Sequence, residues 1–334
     1  MSRVLLTGAA GFIGYHCIRE LTRQGHSVIG IDNLNSYYDP ALKSGRLKEL
    51  EGLENFTFVK GDIADFAFLT DLFKTYPDID RIIHLAAQAG VRYSLEQPFT
   101  YGHSNLDGQM GMLELARKIR QEGTLKHFVY ASSSSVYGAN TKLPFSVYDR
   151  VDDPVSLYAA TKKAGEMLVQ SYAHLYDIPS TGLRFFTVYG PWGRPDMAYF
   201  SFTRDLFEGN EIKIFNNGDM GRDFTYIDDI VQGITAAMKT PPRVDDKGTF
   251  AGAPHRVFNL GNNKPERLLD FVGILEDLTG QKARTNLLPM QPGDVKETYA
   301  DIDLTREVLG YDPTTSLRDG LPHFVEWYKE FYQG

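Results

Sequence analysis

The chain has 334 residues, of which 35 are Lys or Arg and 43 are Asp or Glu, so its net charge is −8. This length allows one large domain or two coupled ones, and the lack of a basic block argues against a nucleic-acid partner. No run approaches the roughly 18 apolar residues of a membrane span, so we expect no membrane association. The N-terminus leads directly into a predicted strand, so we expect no signal peptide. The single cysteine, Cys17, cannot form an internal disulfide; we expect it to be a buried apolar residue in a cytoplasmic protein.

The first predicted elements are a buried strand over 3–7 and a helix over 12–23, joined by a glycine-rich turn. Gly8 permits a tight turn, Gly11 lets a pyrophosphate approach the backbone, and Gly14 lets the helix pack close to the sheet. The helix N-terminus then offers N–H groups to the phosphates. Such a turn can be purely structural, but the strand before it and the helix after it favour a dinucleotide site.

A second strand, predicted over 27–31, ends at Asp32. An acidic residue at this place is suited to hydrogen-bond an adenosine ribose. Because no basic residue follows Asp32 directly, the sequence favours NAD over NADP.

Strands and helices continue to alternate, which predicts a parallel sheet covered by helices on both faces, with ligands at the carboxyl ends of the strands. The further helices of this half are predicted over 40–50, 66–75, 98–120 and 155–176, and the further strands over 56–60, 81–85, 126–131 and 180–186.

After Gly190 the pattern changes, because prolines interrupt the chain and helical segments dominate. Helices are predicted over 198–208, 227–239, 267–279 and 317–331, short strands over 212–215, 257–260 and 284–288, and an exposed loop over 243–253. We therefore predict an α/β protein: a Rossmann-type doubly wound parallel sheet over 1–190 and a smaller, mostly helical substrate lobe over 191–334, with some exchange of chain between the two.

A second group of residues carries chemistry. Four serines, 132–135, follow the fifth strand, and Tyr158 and Lys162 lie four apart on a predicted helix, so they share a face. A lysine beside a phenol lowers the pKa of the phenol, and a phenolate is a competent base for a sugar hydroxyl. A tyrosine and lysine at this spacing are often a solvated surface pair, but their place after a dinucleotide-binding half favours catalysis.

With these motifs the chain resembles the extended short-chain dehydrogenases/reductases, and within them the nucleotide-sugar 4-epimerases of the UDP-glucuronate branch. The segments that carry the resemblance are TGAAGFIG, DNLNSYYDPALKSGRLKEL, HLAAQAGVRYS, YASSSSVYG, YAATKKAGE, LRFFTVYGPWGRPD and GRDFTYIDDIVQG. They extend over most of the chain.

The resemblance implies a role for individual residues. The implied catalytic residues are Tyr158, Lys162 and Ser133, with Ser135 as the alternative serine. The residues implied to bind NAD are Gly8, Gly11, Phe12, Ile13, Gly14, Asp32, Asn33, Asp62, Ile63, Ala86, Ala87, Gln88, Asn105, Tyr158 and Lys162. Of these, Asp62 and Ile63 are implied to meet the adenine, and the loop 86–88 the phosphates and ribose. The residues implied to bind the substrate are Thr187, Arg194, Arg222 and Asp294.

The resemblance also bears on the reaction. Relatives that remove water or CO2 from the sugar carry acidic residues directly after the catalytic hydroxyl, whereas this chain has Ser134 and Ser135. The expected reaction is therefore epimerisation. Tyr158 takes the C4 hydroxyl proton while the C4 hydride passes to NAD. The 4-keto sugar then rotates in the pocket, and the hydride returns to the other face of C4.

The sugar itself is less tightly specified. Arg222 suits the nucleotide diphosphate, because a guanidinium binds phosphate oxygens in pairs. Arg194 is a candidate partner for a sugar carboxylate, with Thr187 assisting, but an exposed loop arginine is an equal alternative, and Arg92 is similarly ambiguous. UDP-glucuronate is the expected substrate; UDP-glucose or a UDP-N-acetylhexosamine is the alternative.

Three further expectations remain. The eight histidines show no metal-ligand spacing, so we expect no metal. The resemblance implies a homodimer that uses the helices predicted over 98–120 and 155–176. A non-catalytic NAD-sensing protein is a rival hypothesis, against which the intact Tyr158–Lys162 pair argues.

Overall fold

The computed structural model of the protein describes residues 1–290 and 296–333. The strands are β1 (Arg3–Thr7), β2 (Ser27–Asp32), β3 (Phe56–Lys60), β4 (Arg81–His84), β5 (His127–Ser133), β6 (Ser180–Phe185), β7 (Thr187–Tyr189), β8 (Glu211–Ile214), β9 (Gly221–Tyr226), β10 (His255–Leu260), β11 (Pro265–Arg267), β12 (Arg284–Leu287) and β13 (Glu297–Thr298). The α-helices are α1 (Phe12–Arg23), α2 (Pro40–Leu50), α3 (Phe66–Thr75), α4 (Tyr93–Glu96), α5 (Pro98–Tyr101), α6 (Gly108–Gln121), α7 (Leu157–Tyr176), α8 (Ala198–Glu208), α9 (Ile227–Lys239), α10 (Leu268–Thr279), α11 (Asp303–Leu309) and α12 (Leu317–Tyr332).

A parallel sheet of seven strands, in the order β10-β6-β5-β4-β1-β2-β3, organises the molecule. Successive side chains of β1 point to opposite faces, so Val4 and Leu6 enter one hydrophobic core and Leu5 enters the other. The apolar stripe of α1 covers the first face, together with α9, and α3, α6 and α7 cover the second. This arrangement confirms the predicted doubly wound α/β fold.

The second half of the chain builds a smaller body beside the carboxyl ends of the large sheet. Its central strand, β9, pairs with β11, β13 and β7, and β8 pairs with β12. Strand β10 returns to the large sheet and pairs with β6, with Leu260 opposite Phe185. The chain thus crosses between the two bodies, while the domain boundary at residue 190 stays a prediction.

Several predicted elements differ from the observed ones. The helix predicted over 98–120 is interrupted by a π-helix, Gly102–Asp107, between α5 and α6. Strand β5 runs two residues beyond its predicted end, so Ser132 and Ser133 belong to the strand. A separate strand, β7, follows β6, and β9 was not predicted, because short strands in a helix-rich stretch lack a readable alternation.

Two smaller expectations can be compared with the structure. Cys17 is fully buried in α1, which confirms its assignment as a core residue. Among residues 1–290 and 296–333, no helix is both long and apolar enough to cross a membrane.

Candidate active site

A cavity of about 690 Å³ lies where the carboxyl ends of β1, β2, β4, β5 and β6 face the smaller body. Most of the residues that the sequence implicates line this one cavity. They are Gly8, Gly11, Phe12, Ile13, Gly14, Asp32, Asn33, Asp62, Ile63, Ala86, Ala87, Gln88, Ser133, Ser135, Tyr158, Lys162, Thr187, Arg194 and Arg222. Asn105 lies behind the wall, and Asp294 lies outside the described residues.

The glycine turn forms one end of the cavity. Gly8 has a φ of +77°, a conformation that glycine adopts without strain, and its N–H donates to Ile31 O at 2.8 Å. A Cβ on Gly14 would lie 2.0 Å from Gly8 O, so only glycine lets α1 begin this close to the turn. The turn therefore presents bare backbone and a helix N-terminus to the cavity, as a pyrophosphate requires.

The carboxylate of Asp32 lies beside this turn. It accepts hydrogen bonds from Ala10 N at 3.1 Å and Leu34 N at 2.8 Å, and Lys43 Nζ lies 3.2 Å from its Oδ1. Asp32 and Lys43 are both buried, and both line the cavity. Sequence reasoning missed Lys43, since it sits eleven residues further along, on the buried face of α2.

Farther along the wall, Asp62 accepts a hydrogen bond from Asn33 Nδ2 at 3.1 Å and one from Ala64 N at 2.9 Å, and His103 Nε2 lies 3.3 Å away. Burial raises the pKa of Asp62, but these hydrogen bonds outweigh burial and lower the pKa overall. Asp62 is therefore a fixed carboxylate, next to Ile63 at the end predicted for adenine.

Asn105 holds the loop that was predicted to contact the phosphates and ribose. Its side chain accepts from Gln88 N at 2.8 Å and donates to Gln88 O at 3.0 Å, and its Nδ2 also lies 3.0 Å from Thr161 Oγ1 on α7. Asn105 lies in the π-helix, so this wider helical turn carries the side chain that holds the loop at Gln88 in place. Its observed contacts are with the protein.

The catalytic candidates meet at the end of β5. Ser156 caps the N-terminus of α7 by accepting from Ala159 N at 3.1 Å, which places Tyr158 in the first turn of the helix. The side chains of Ser133 and Tyr158 are hydrogen-bonded, and Ser133 Oγ lies 3.2 Å from Ser135 Oγ. Ser133 is thus the serine in contact with the phenol, and Ser135 lies one hydrogen bond further away.

The direction of the tyrosine pKa differs from the expectation. Burial raises the pKa of Tyr158, and the hydrogen bond from Ser133 and the positive charge of Arg194 only partly oppose it. Burial also lowers the pKa of Lys162 to about 8, against the attraction of Glu166. The expected lowering of the phenol pKa was wrong for the protein alone, because desolvation outweighs the neighbouring positive charge.

A buried ion pair that the sequence did not reveal joins α7 to β6. Glu166 binds Arg184 of β6 through two hydrogen bonds of 2.8 and 2.9 Å and accepts from Ser132 Oγ at 2.7 Å. Burial raises the pKa of Glu166, but Arg184 outweighs burial and holds the pKa at about 2. The pair ties β5, β6 and α7 together; its only sequence signal was a glutamate one turn after Lys162.

The opposite wall of the cavity comes from the segment after β7. The guanidinium of Arg194 donates to Asp196 from Nε at 3.1 Å and from Nη2 at 2.5 Å, and Tyr37 Oη donates to Asp196 at 3.3 Å. Arg194 therefore faces the cavity and is not a surface arginine. Its positive charge acts on Tyr158, and Asp196 was missed because its role depends on this fold of the loop.

The remaining substrate candidates lie around the same wall. Thr187 begins β7, and Arg222 lies near the start of β9, where its Nη1 donates to Gly221 O at 2.8 Å and Lys296 O at 3.1 Å. Arg92 places its guanidinium 5.6 Å from the ring centre of Phe215, so it joins the two bodies at the rim of the cavity. Among the described residues, no cluster of His, Cys, Asp or Glu could hold a metal ion.

The fold and the site together define a class: a Rossmann-type dinucleotide-binding protein with a tyrosine, a lysine and a serine at the end of its nucleotide crevice. The chain belongs to the NAD dependent epimerase/dehydratase family, whose model matches residues 4–261.

Individual proteins of known name are similar to this chain over nearly its full length. The chain is 52% identical to UDP-glucuronate 4-epimerase 4 of Arabidopsis thaliana, over 99% of this chain and 76% of that protein. A crystal structure of UDP-glucuronic acid 4-epimerase from Bacillus cereus with UDP-glucuronic acid and NAD superposes with a TM-score of 0.87, at 37% identity, covering 99% of this chain and 100% of that one. The UDP-glucose 4-epimerase of Thermotoga maritima with UDP-glucose gives a TM-score of 0.85 at 30% identity, over 98% and 99%.

Proposed function

We propose that this protein is an NAD-dependent 4-epimerase that interconverts UDP-glucuronate and UDP-galacturonate through a transient 4-keto sugar. One observation carries the proposal: a cationic Arg194 faces the hydroxyl groups of Tyr158 and Ser133 across one cavity, and serines occupy the turn after Ser133. This is the chemistry that a uronate needs for oxidation at C4 without loss of its carboxylate. The UDP-glucuronate 4-epimerases of Arabidopsis thaliana and Bacillus cereus support the same substrate.

The residues present fit NAD. The turn at Gly8 offers bare backbone, and a Cβ there would come within 3.0 Å of Ala86 N. Asp32 lies at the end of β2 on the cavity wall, where a ribose partner is expected, and Asp62 and Ile63 border the end assigned to adenine. When bound, NAD supplies a hydride acceptor that also returns the hydride.

The roles of the catalytic residues follow from their contacts. Tyr158 removes the proton of the C4 hydroxyl as the hydride leaves C4. The hydroxyl of Ser133 hydrogen-bonds to both the C4 hydroxyl and the phenol and so bridges them. Because burial disfavours the phenolate, Tyr158 holds its proton until positive charge or substrate offsets desolvation. Lys162, whose pKa burial lowers to about 8, stays mostly protonated at neutral pH and contributes a positive charge beside the site.

Substrate recognition uses the opposite wall. Arg222 binds the diphosphate, Arg194 with Thr187 binds the C5 carboxylate, and Asp294, outside the described residues, is assigned to the uridine ribose. With the diphosphate held at the far wall, the keto sugar can turn its other face to the cofactor, and Tyr158 returns the proton to O4. Asp196, the acidic residue beside Arg194, is already bound by Arg194 and Tyr37, so it is poorly placed to remove another proton.

Purified protein incubated with UDP-glucuronate, without added NAD, tests the proposal, with UDP-galacturonate as the expected product. A parallel panel with UDP-glucose and UDP-N-acetylglucosamine tests the alternative substrates, of which UDP-glucose is favoured by the Thermotoga maritima structure. The rival NAD-sensing hypothesis predicts bound NAD and no turnover of any of these sugars.

We also propose that the protein is a cytoplasmic homodimer. Helices α6 and α7 share a shallow apolar groove lined by Met110, Met167 and Leu168, and Met167 is 63% exposed. A second copy of the same two helices would cover this groove in a two-fold interface. The unpaired, buried Cys17 supports a reducing compartment.

A further inference from the structure

Arg46 is a fully buried arginine in the middle of α2 that does not itself line the cavity. Its guanidinium reaches two functional segments at once. Nη1 donates to Ala10 O, in the glycine turn, at 2.9 Å. Nε and Nη2 donate to Trp192 O at 3.1 and 2.6 Å, and Nη2 also reaches Gly193 O at 3.2 Å.

The positive charge of Arg46 is stabilised by neutral hydrogen-bond acceptors. Within residues 1–290 and 296–333, no carboxylate lies within ion-pair distance of this guanidinium; its acceptors are the three carbonyls and the hydroxyl of Tyr38, at 2.9 Å. Burying a charge without a counter-charge is costly, so packing alone gives no reason for an arginine at this position. The planar guanidinium can bind several carbonyls in fixed directions, and this ability is a reason for an arginine at this position.

Two of the three carbonyls that Arg46 binds, those of Trp192 and Gly193, directly precede Arg194. Trp192 has a φ of +61°, an unfavourable conformation for a residue with a side chain, so this turn needs outside contacts to hold its shape. On the far side, Tyr199 Oη accepts from Arg194 N at 3.0 Å. The backbone that carries the Arg194 side chain is therefore fixed by Arg46 before it and by Tyr199 at it.

We propose that Arg46 is a positioning residue for recognition of the sugar carboxylate: it locks the turn at residues 192–193 to the glycine turn of the cofactor site and so sets where Arg194 stands relative to the reacting carbon. This inference rests on the proposed function, since it takes Arg194 as the partner of the carboxylate. Arg46 itself touches neither substrate nor cofactor in this account.

A double-mutant cycle tests the inference, using Arg46→Lys, Arg194→Gln and the double variant. Lysine keeps the positive charge but cannot bind the carbonyls of both turns as a fork. We expect kcat/KM for UDP-glucuronate to fall about tenfold in Arg46→Lys, a loss of about 1.4 kcal/mol. We expect inhibition by UDP, which lacks the carboxylate, to stay within about twofold of the wild type. In the Arg194→Gln background, Arg46→Lys should cause no further loss.

The matched control is Arg23→Lys, the same exchange at an exposed helix end where the arginine pairs with Glu20. A second variant keeps the test decisive if Arg46→Lys does not fold. A Cβ on Gly45 would lie 2.7 Å from the ring of Trp192 and 3.2 Å from that of Phe331, so Gly45→Ala pushes on the Trp192 side chain, whose backbone Arg46 binds, from within a helix that alanine favours. It should also lower kcat/KM for UDP-glucuronate and leave inhibition by UDP unchanged.

The outcomes separate this inference from the proposed function. If the wild type does not turn over UDP-glucuronate, the proposed function is wrong and this inference falls with it. If the wild type is active but the losses in Arg46→Lys and Arg194→Gln add, or UDP inhibition weakens equally, Arg46 has a general structural role and the inference alone is overturned. An unchanged Gly45→Ala variant, where Arg46→Lys is unfolded, would overturn it too.

Discussion

Replacement of Arg194 by glutamine gives a specific prediction about substrate choice. In the structure Asp196 accepts hydrogen bonds from Nε and Nη2 of Arg194. The end of the guanidinium formed by Nη1 and Nη2 remains to bind a second carboxylate. A hydrogen bond to a charged group contributes about 1.5–3 kcal/mol. Arg194→Gln should therefore lower kcat/KM for UDP-glucuronate roughly 10- to 150-fold.

The same change should leave the rest of the protein almost intact. Asp196 keeps the hydrogen bond from Tyr37, and its side chain is 31% exposed, so loss of its ion pair should cost about 1 kcal/mol of stability at most. The assay compares UDP-glucuronate turnover with inhibition by UDP-glucose, which lacks the carboxylate. Arg204→Gln, which breaks the Arg204–Asp205 pair at 2.9 Å, is the matched control. Equal weakening of both nucleotide sugars would refute the assignment of Arg194.

Three more predictions follow from the site and the surface. Tyr158→Phe should lower kcat about 10²- to 10⁴-fold while the protein retains its bound NAD, measured by release on denaturation; loss of NAD would point to a binding role instead. Glu166→Gln should lower the free energy of unfolding in urea at pH 7 by about 3–5 kcal/mol, because it leaves Arg184 buried without its partner. Since the pKa of Glu166 is depressed to about 2, this difference should be full above the ordinary glutamate range and shrink as the pH falls towards 2; a difference independent of pH would contradict the ion pair as its source. Met167→Glu should convert the proposed dimer to a monomer in light scattering; an unchanged mass would place any interface elsewhere.

Local chemistry made the cofactor half readable from the sequence. The turn at Gly8 was predictable because its positive φ and the close start of α1 both exclude side chains, and these demands leave glycine at fixed spacing. Asp32 was also predictable, because it is the acidic residue that ends the strand after that turn. The predictions of the family, the doubly wound fold and NAD are confirmed.

Other parts of the site depend on contacts between distant segments. Lys43 was missed because its partner is reached only when α2 folds back on β2, and Asp196 because its loop must turn Arg194 into the cavity. The π-helix at 102–107 was missed because its buried pattern continues the adjacent helices, while Asn105 bonds a loop seventeen residues earlier. The direction of the Tyr158 pKa was wrong because burial cannot be measured from residue spacing.

The proposed reaction is a reversible oxidation at one sugar carbon by a cofactor that stays on the protein. Its most direct measurement follows UDP-glucuronate by NMR with purified protein and no added NAD. We expect UDP-galacturonate to accumulate until its ratio to UDP-glucuronate is constant, and the same ratio to be reached when the reaction starts from UDP-galacturonate. Release of CO2 or water from the sugar, or no conversion even after NAD is supplied, would contradict it.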